Sequence, residues 1–242
     1  MKKQTLKILL IILIIIFLVN IVFIFSDNTD DIKNPETNIT GQNSNGTVYK
    51  TICGNMSTND TAVIILGVHS FENGTHNATN QTIMNMTNNN NLSKKYVVYF
   101  IKLNLNQTDL NTSDYQTNRH MGEMLAYDYI VKDLKQYNPY VVVDVHEMEE
   151  YWDPDRYIQV MSPDKPAAFD YAHKMEKDTG IAEYNFTEGT SPQWVTEPIA
   201  NEGFNTILFE YGQGESQQHK LDVTTKLIKS IDSLNPSIRD KT

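Results

Sequence analysis

Three short runs of apolar residues, each ending in a chemically active side chain, constrain this chain more than any other feature. Residues 63–66 (VIIL) lead through Gly67 to His69-Ser70-Phe71-Glu72; residues 140–145 (YVVVDV) run straight into His146; residues 206–209 (TILF) meet Glu210. Runs this short and rich in β-branched residues, with no polar residue at every second place, read as strands buried on both faces. Further strands are expected over residues 96–105 and 157–161. Between the strands the period changes. Met121, Met124, Tyr127, Val131 and Leu134 recur at three- and four-residue steps until Asn138-Pro139 stops them. Residues 166–179 read as a helix ended by Gly180, and Leu221, Leu227, Ile228, Ile231 and Leu234 stripe a last one. Alternating strands and helices predict an α/β domain: a mixed, largely parallel sheet with helices on both faces, three layers in all.

The chain of 242 residues has room for one such domain and some extra, and the extra is visible. Lys2, Lys3 and Lys7 precede an apolar run, residues 8–25, broken only by Asn20. That is about the shortest run able to cross a bilayer, and lysines on its N-terminal side predict that this end stays inside. Phe25-Ser26-Asp27 makes a poor cleavage site, so residues 1–26 read as an uncleaved signal anchor in the cell membrane, single-pass, with the remainder outside the cytoplasm. Twelve Asn-x-Ser/Thr triplets suit a glycosylated, extracytoplasmic surface. Residues 27–58, polar and without periodicity, read as a flexible stalk, and residues 59–242 as the folded domain. Residues 73–93, rich in Asn and Thr, read as a short helix with a loose insertion. A net charge of −10 without a basic stripe excludes nucleic acid as partner. Cys53, the only cysteine, excludes an internal disulfide and a thiolate metal cluster.

In open α/β sheets the ligand site lies at the carboxyl ends of the strands, so the polar groups ending three strands can converge although they are far apart in sequence. Two imidazoles, one carboxylate and an open position make a catalytic zinc site, and His69, Glu72, Asp144, His146 and Glu210 bring such groups to the three strand ends. A second carboxylate that does not bind the metal can then serve as general base for its water. Asp144, two residues before His146, points to the same side of its strand and can hydrogen-bond that imidazole. Glu147, Glu149 and Glu150 read as a solvated acidic loop edge, Tyr151, Trp152 and Trp194 as loop aromatics at the rim, and His76 and His120 as surface residues.

His69-x-x-Glu72, His146 after Val-Asp-Val and Glu210 at the end of ILFE together resemble the zinc-ligand and catalytic-glutamate pattern of the metallocarboxypeptidases, over about residues 60–235. The resemblance implies a zinc exopeptidase-like fold, one zinc ion on His69, Glu72 and His146, and a zinc-activated water that attacks a C-terminal peptide bond with Glu210 as base. Asp144-Val145-His146 and Glu210-Tyr211-Gly212 equally resemble the D-x-H and E-x-G signatures of the aspartoacylase and succinylglutamate desuccinylase branch, which implies an N-acyl-amino-acid substrate. A binding protein that kept the fold and lost the chemistry is the third reading. The family holds the substrate carboxylate with an Asn-Arg pair, and Asn118-Arg119 is the one such pair here. In the alternative stretch Asn104-Leu105-Asn106-Gln107, Gln stands where Arg is expected; Arg156 is a further candidate.

Overall fold

The computed structural model describes residues 35–105, 115–187 and 191–236. The expected anchor lies outside them, as do Asn106, Gln107 and Asn111. Among the described residues no helix is long and apolar enough to cross a membrane. The strands are β1 (Glu36–Asn43), β2 (Gly46–Gly54), β3 (Thr61–Leu66), β4 (Lys95–Leu103), β5 (Val141–Met148), β6 (Tyr157–Val160) and β7 (Thr206–Gly212). The helices are α1 (Asn73–Asn88), α2 (Tyr115–Leu125), α3 (Pro166–Thr179), α4 (Ser191–Trp194), α5 (Thr196–Asn201) and α6 (Gln217–Asp232). Beyond Leu125, α2 continues through a π turn and a 3₁₀ turn to Tyr137, where Asn138 takes a left-handed conformation (φ 43°) before Pro139.

The strands form one sheet in the order β1-β2-β4-β3-β5-β7-β6. Its centre, β4-β3-β5-β7, is parallel, while β1, β2 and β6 pair antiparallel at the two sides. Every residue of β3, β5 and β7 is buried, as continuous apolar runs require. Alternation divides their side chains between two cores. Ala62, Ile64 and Leu66, with Val141, Val143 and Val145, pack toward α1, α3 and α6 through Ile83, Met175, Leu227 and Ile231. Val63, Ile65 and Val142 pack on the other face against Leu125, Ile130, Leu134 and Ile199 of α2, its continuation and α5. Helices cover both faces of a mixed α/β sheet, as expected.

Two expectations need correction. Most of the predicted stalk is folded: β1 and β2 form a hairpin, and β2 pairs along its whole length with β4. The compact unit therefore begins at Pro35, not at residue 59. This hairpin closes the sheet edge, so β1 is mostly exposed and the apolar contribution falls to isolated residues such as Val48 and Cys53. Burial pushes the Cys53 thiol up to about 11, which leaves it an inert packing group. The second correction concerns residues 73–93, where α1 runs for 16 residues without a loose insertion. Its buried face is made largely of Thr75, Thr79, Thr82 and Thr87, and Thr82 meets Thr224 of α6 at 3.3 Å. Each of these threonines is the third residue of a sequon whose asparagine is not buried. None of the sequon asparagines among the described residues is buried.

A chain beginning at Pro35 is expected to melt cooperatively. One beginning at Asn59 exposes the β4 edge and loses Val48, and it is expected to aggregate or to melt roughly 10 °C lower. Equal melting temperatures would show that the hairpin contributes nothing to the fold.

Candidate metal centre and cleft

Because β3, β5 and β7 run parallel, their carboxyl ends lie side by side. His69 follows the end of β3, Glu72 is the N-cap residue of α1, and His146 stands in β5. His146 and Glu210 are register partners on β5 and β7, and Tyr157 on β6 is the partner of Glu210 from the other side. One row across three strands thus carries an imidazole, a carboxylate and a phenol on one face of the sheet.

The three residues named from sequence meet. His69 Nδ1 lies 2.6 Å from Glu72 Oε1, His146 Nδ1 lies 2.8 Å from Glu72 Oε2, and the two Nδ1 atoms are 3.1 Å apart. One donor atom from each of the three falls within 4.8 Å of the others, and all three residues are buried. A tetrahedral ion with bonds of about 2.1 Å holds its donors about 3.4 Å apart, so a shift of a few tenths of an ångström admits a cation. Two imidazole nitrogens turned on one carboxylate, with no apolar side chain between them, are a donor set that fits a divalent metal.

The buried charges at this centre are opposed in sign. Burial pulls His146 down, but Asp144 and Glu72 outweigh it and hold the imidazole well above its ordinary pKa. Burial pushes Glu72 up, yet His69 and His146 bring it well below the usual carboxylate range. These opposed shifts favour a charged His146 ring beside a charged Glu72 carboxylate. Metal ligation needs the imidazole neutral, so binding must expel that proton.

The far nitrogens are also held. His146 Nε2 lies 3.0 Å from Asp144 Oδ2, on the same strand face, as expected from their spacing. His69 Nε2 lies 3.3 Å from Glu123 Oε1 of α2. Sequence reasoning passed over Glu123, whose neighbour explains how it reaches the site. A Cβ at Gly122 would collide with the Val68 carbonyl, so only glycine lets α2 press this closely on the chain leading to His69. His120 is exposed, as expected. His76 is not a surface residue: it is buried, its Nε2 lies 2.7 Å from the Val145 carbonyl, and burial pushes it down to about 3, so it donates as a neutral ring. Glu147 is likewise no solvated loop edge. It is buried and ion-paired with Lys220 at 2.6 Å, and its own N–H donates to Glu72 Oε2 at 3.1 Å.

Outward from these residues opens a cleft of about 570 Å³, lined by Glu72, Arg119, Glu147, Tyr157 and Glu210 near the centre and by Tyr151, Trp152 and Phe186 farther out. Phe186 stacks on Tyr157 at 5.3 Å and meets the Trp152 edge at 5.4 Å, so this wall is pre-packed. Trp194 packs instead at the edge of the core under α2, against His120 and Tyr127. Arg119 lines the cleft and its Nη1 donates to Glu72 Oε1 at 2.9 Å. Asn118 is buried beside it on α2 and does not line the cleft. Arg156 is placed elsewhere: its guanidinium binds Asp155 and Glu215, each at 2.8 Å, and lies over the Tyr211 ring. Glu210 is buried, with Oε2 lacking a hydrogen bond among the described residues.

No family model matches the chain, and no curated protein matches it by sequence. Solved structures do match by shape. A metallo-carboxypeptidase from Burkholderia cenocepacia superposes with a TM-score of 0.56 at 9% identity, covering 83% of this chain and 64% of that one. The murein-tripeptide amidase MpaA from Escherichia coli O157 does so at 0.51 and 10% identity, covering 81% and 92%. A tripeptide-bound cell shape determinant from Helicobacter pylori gives 0.51 at 13% identity, covering 78% and 58%. The chain therefore has the metallocarboxypeptidase fold. It spans 64% of the length of the Burkholderia protein.

Titrating zinc into the protein at pH 7 is expected to release at least one proton per ion, from His146, with a further share from Glu210 as the cation lowers its proton affinity. Calorimetry in two buffers of different ionisation enthalpy measures this. Zinc binding without proton release would mean that the His146 ring is already neutral before the ion arrives.

Proposed function

We propose that this protein is a zinc-dependent hydrolase that cleaves a peptide amide bond next to a free carboxylate, with His69, Glu72 and His146 as zinc ligands and Glu210 as general base. The observation that carries this reading is the placement of Glu210: a buried carboxylate in register beside a metal-site imidazole, with a free oxygen, on the cleft. Zinc bound there would supply Lewis acidity, polarising the scissile carbonyl and lowering the pKa of a water. Glu210 takes a proton from the attacking water and hands it to the departing amine. Burial, with Glu72 and Asp144 adding to it against His146 and Arg119, pushes Glu210 up to about 8. A base so placed lies close to the operating pH, and a cation in the centre draws it lower.

Arg119 is the single arginine or lysine among the described residues lining the cleft, and its planar fork suits the substrate's carboxylate. That favours Arg119 over Arg156. The fold is shared with a carboxypeptidase and a tripeptide amidase, which supports a peptide substrate. The apolar run of residues 8–25 and the lysines before it support an anchored protein working outside the cytoplasm.

With zinc bound, Glu210→Gln is expected to lower kcat about 10²–10⁴-fold against a peptide with a free C-terminus while zinc affinity is kept. In the unsubstituted enzyme kcat/KM falls as pH drops, because Glu210 must be ionised, and that acid limb lies below 8. Unchanged activity in Glu210→Gln would remove it as the base. Peptide amides cut as fast as free acids would contradict a carboxylate requirement, and turnover of N-acyl amino acids alone would favour the deacylase branch. A zinc-loaded protein inert to all three substrate types would be a binding protein on this fold.

A further inference from the structure

Glu72 stands where two demands compete. As N-cap residue of α1 it is placed to cap the helix, yet its side chain makes no capping hydrogen bond, because its oxygens face His69, His146 and Arg119. The first N–H groups of a helix need acceptors from somewhere. Here one comes from another element: Thr75 N–H donates to Glu147 Oε1 at 2.5 Å, and Thr75 Oγ1 donates to the same atom at 2.9 Å. A carboxylate of β5 thus caps α1 in place of Glu72.

That carboxylate is nearly fully buried and would be costly if left unpaired. Lys220 of α6, also buried, supplies the counter-charge: its Nζ lies 2.6 Å from Glu147 Oε1 and donates to the Gln213 carbonyl at 2.7 Å. Gly74 makes the approach possible. A Cβ there would lie 2.5 Å from Lys220 Nζ and 2.6 Å from Glu147 Oε1. The backbone N–H of the same Glu147 donates to Glu72 Oε2. One residue therefore takes over the capping duty of Glu72 and also holds its carboxylate in place.

We propose that Glu147 and Lys220 form a clamp that frees Glu72 from capping α1 and positions it as a metal ligand. This rests on the reading of His69, Glu72 and His146 as a zinc site. Lys220 does not line the cleft, so its influence on the metal passes through Glu147 and the start of α1. Without the ammonium, the Glu147 carboxylate loses its buried partner and its hold on Thr75 weakens. The free N–H groups of α1 then compete with the metal for the Glu72 carboxylate.

The test measures zinc affinity by chelator competition, and the visible spectrum of the cobalt-loaded protein, for Lys220→Met, Glu147→Gln, their double variant and Lys220→Arg. Each of the first two is expected to weaken zinc binding about 10–100-fold and to change the cobalt spectrum. The double variant should be no worse than the more severe single one, because both act through one contact. Lys220→Arg should recover most of the loss. Gly74→Ala, which drives a methyl group into the clamp, should reproduce the Lys220→Met phenotype. Variants that melt earlier yet keep the parent affinity and cobalt spectrum would reduce the pair to a stabilising ion pair and overturn the proposal, as would strictly additive losses. If Lys220→Met fails to fold, Glu147→Gln, whose neutral amide accepts more weakly from Thr75 and no longer pairs with the Lys220 charge, decides the matter alone. A parent protein whose zinc binding is indifferent to His69→Ala would instead sink the zinc reading and the clamp with it.

Discussion

The architecture around the site depends on one buried carboxylate. Glu72 is almost wholly inside the protein, where an unpaired charge would cost several kcal/mol. Four partners from three parts of the chain offset that cost: His69 after β3, Arg119 on α2, and on β5 the His146 ring and the Glu147 N–H beside it. The parallel register of β3, β5 and β7 brings them together, and the apolar runs of those strands set that register. A packing pattern thus ends in an electrostatic one.

The same constraint orders the surrounding shell. With two imidazoles turned by their Nδ1 atoms toward Glu72, their Nε2 atoms face carboxylates of their own: Glu123 pairs with that of His69, and Asp144 is the charge partner 3.0 Å from that of His146. With Glu72 drawn away from its helix, the helix needs another cap, which Glu147 supplies, and Glu147 in turn needs Lys220. Each step leaves one more polar group to satisfy until the chain of demands reaches solvent or a backbone carbonyl. Glu210 remains outside these pairings, buried beside several negative charges, and this isolation raises its affinity for a proton.

The central strands, α3 and the three converging residues were legible in the sequence because they obey local rules: uninterrupted apolar runs, a Pro start with a Gly stop, and polar groups at strand ends. The β1–β2 hairpin was not legible. Its partner strand covers it on one side only, so no apolar run marks it, and its polar composition resembles a linker. The length of α1 was hidden for a related reason. Threonine and asparagine are poor helix formers, and its buried face uses threonine hydroxyls, so the usual leucine stripe is missing. Glu123, Glu147 and Lys220 were out of reach for a different cause. Their partners lie 54 and 73 residues away, and no local pattern encodes a pairing made only by the closed fold. The one visible hint was glycine, at Gly74 and Gly122, where a side chain would block the approach.

The central claim is that His69, Glu72 and His146 hold one zinc ion through the two Nδ1 atoms and a carboxylate oxygen. A crystal structure of the zinc-loaded protein with anomalous scattering measured at the zinc edge tests this directly. The expected result is a single strong peak about 2.0–2.2 Å from His69 Nδ1, His146 Nδ1 and a Glu72 oxygen. Glu123 and Asp144 should still face the Nε2 atoms, and Arg119 should have left Glu72. A peak on the Nε2 side of either ring, on His76, or away from Glu72 altogether would contradict this ligand set.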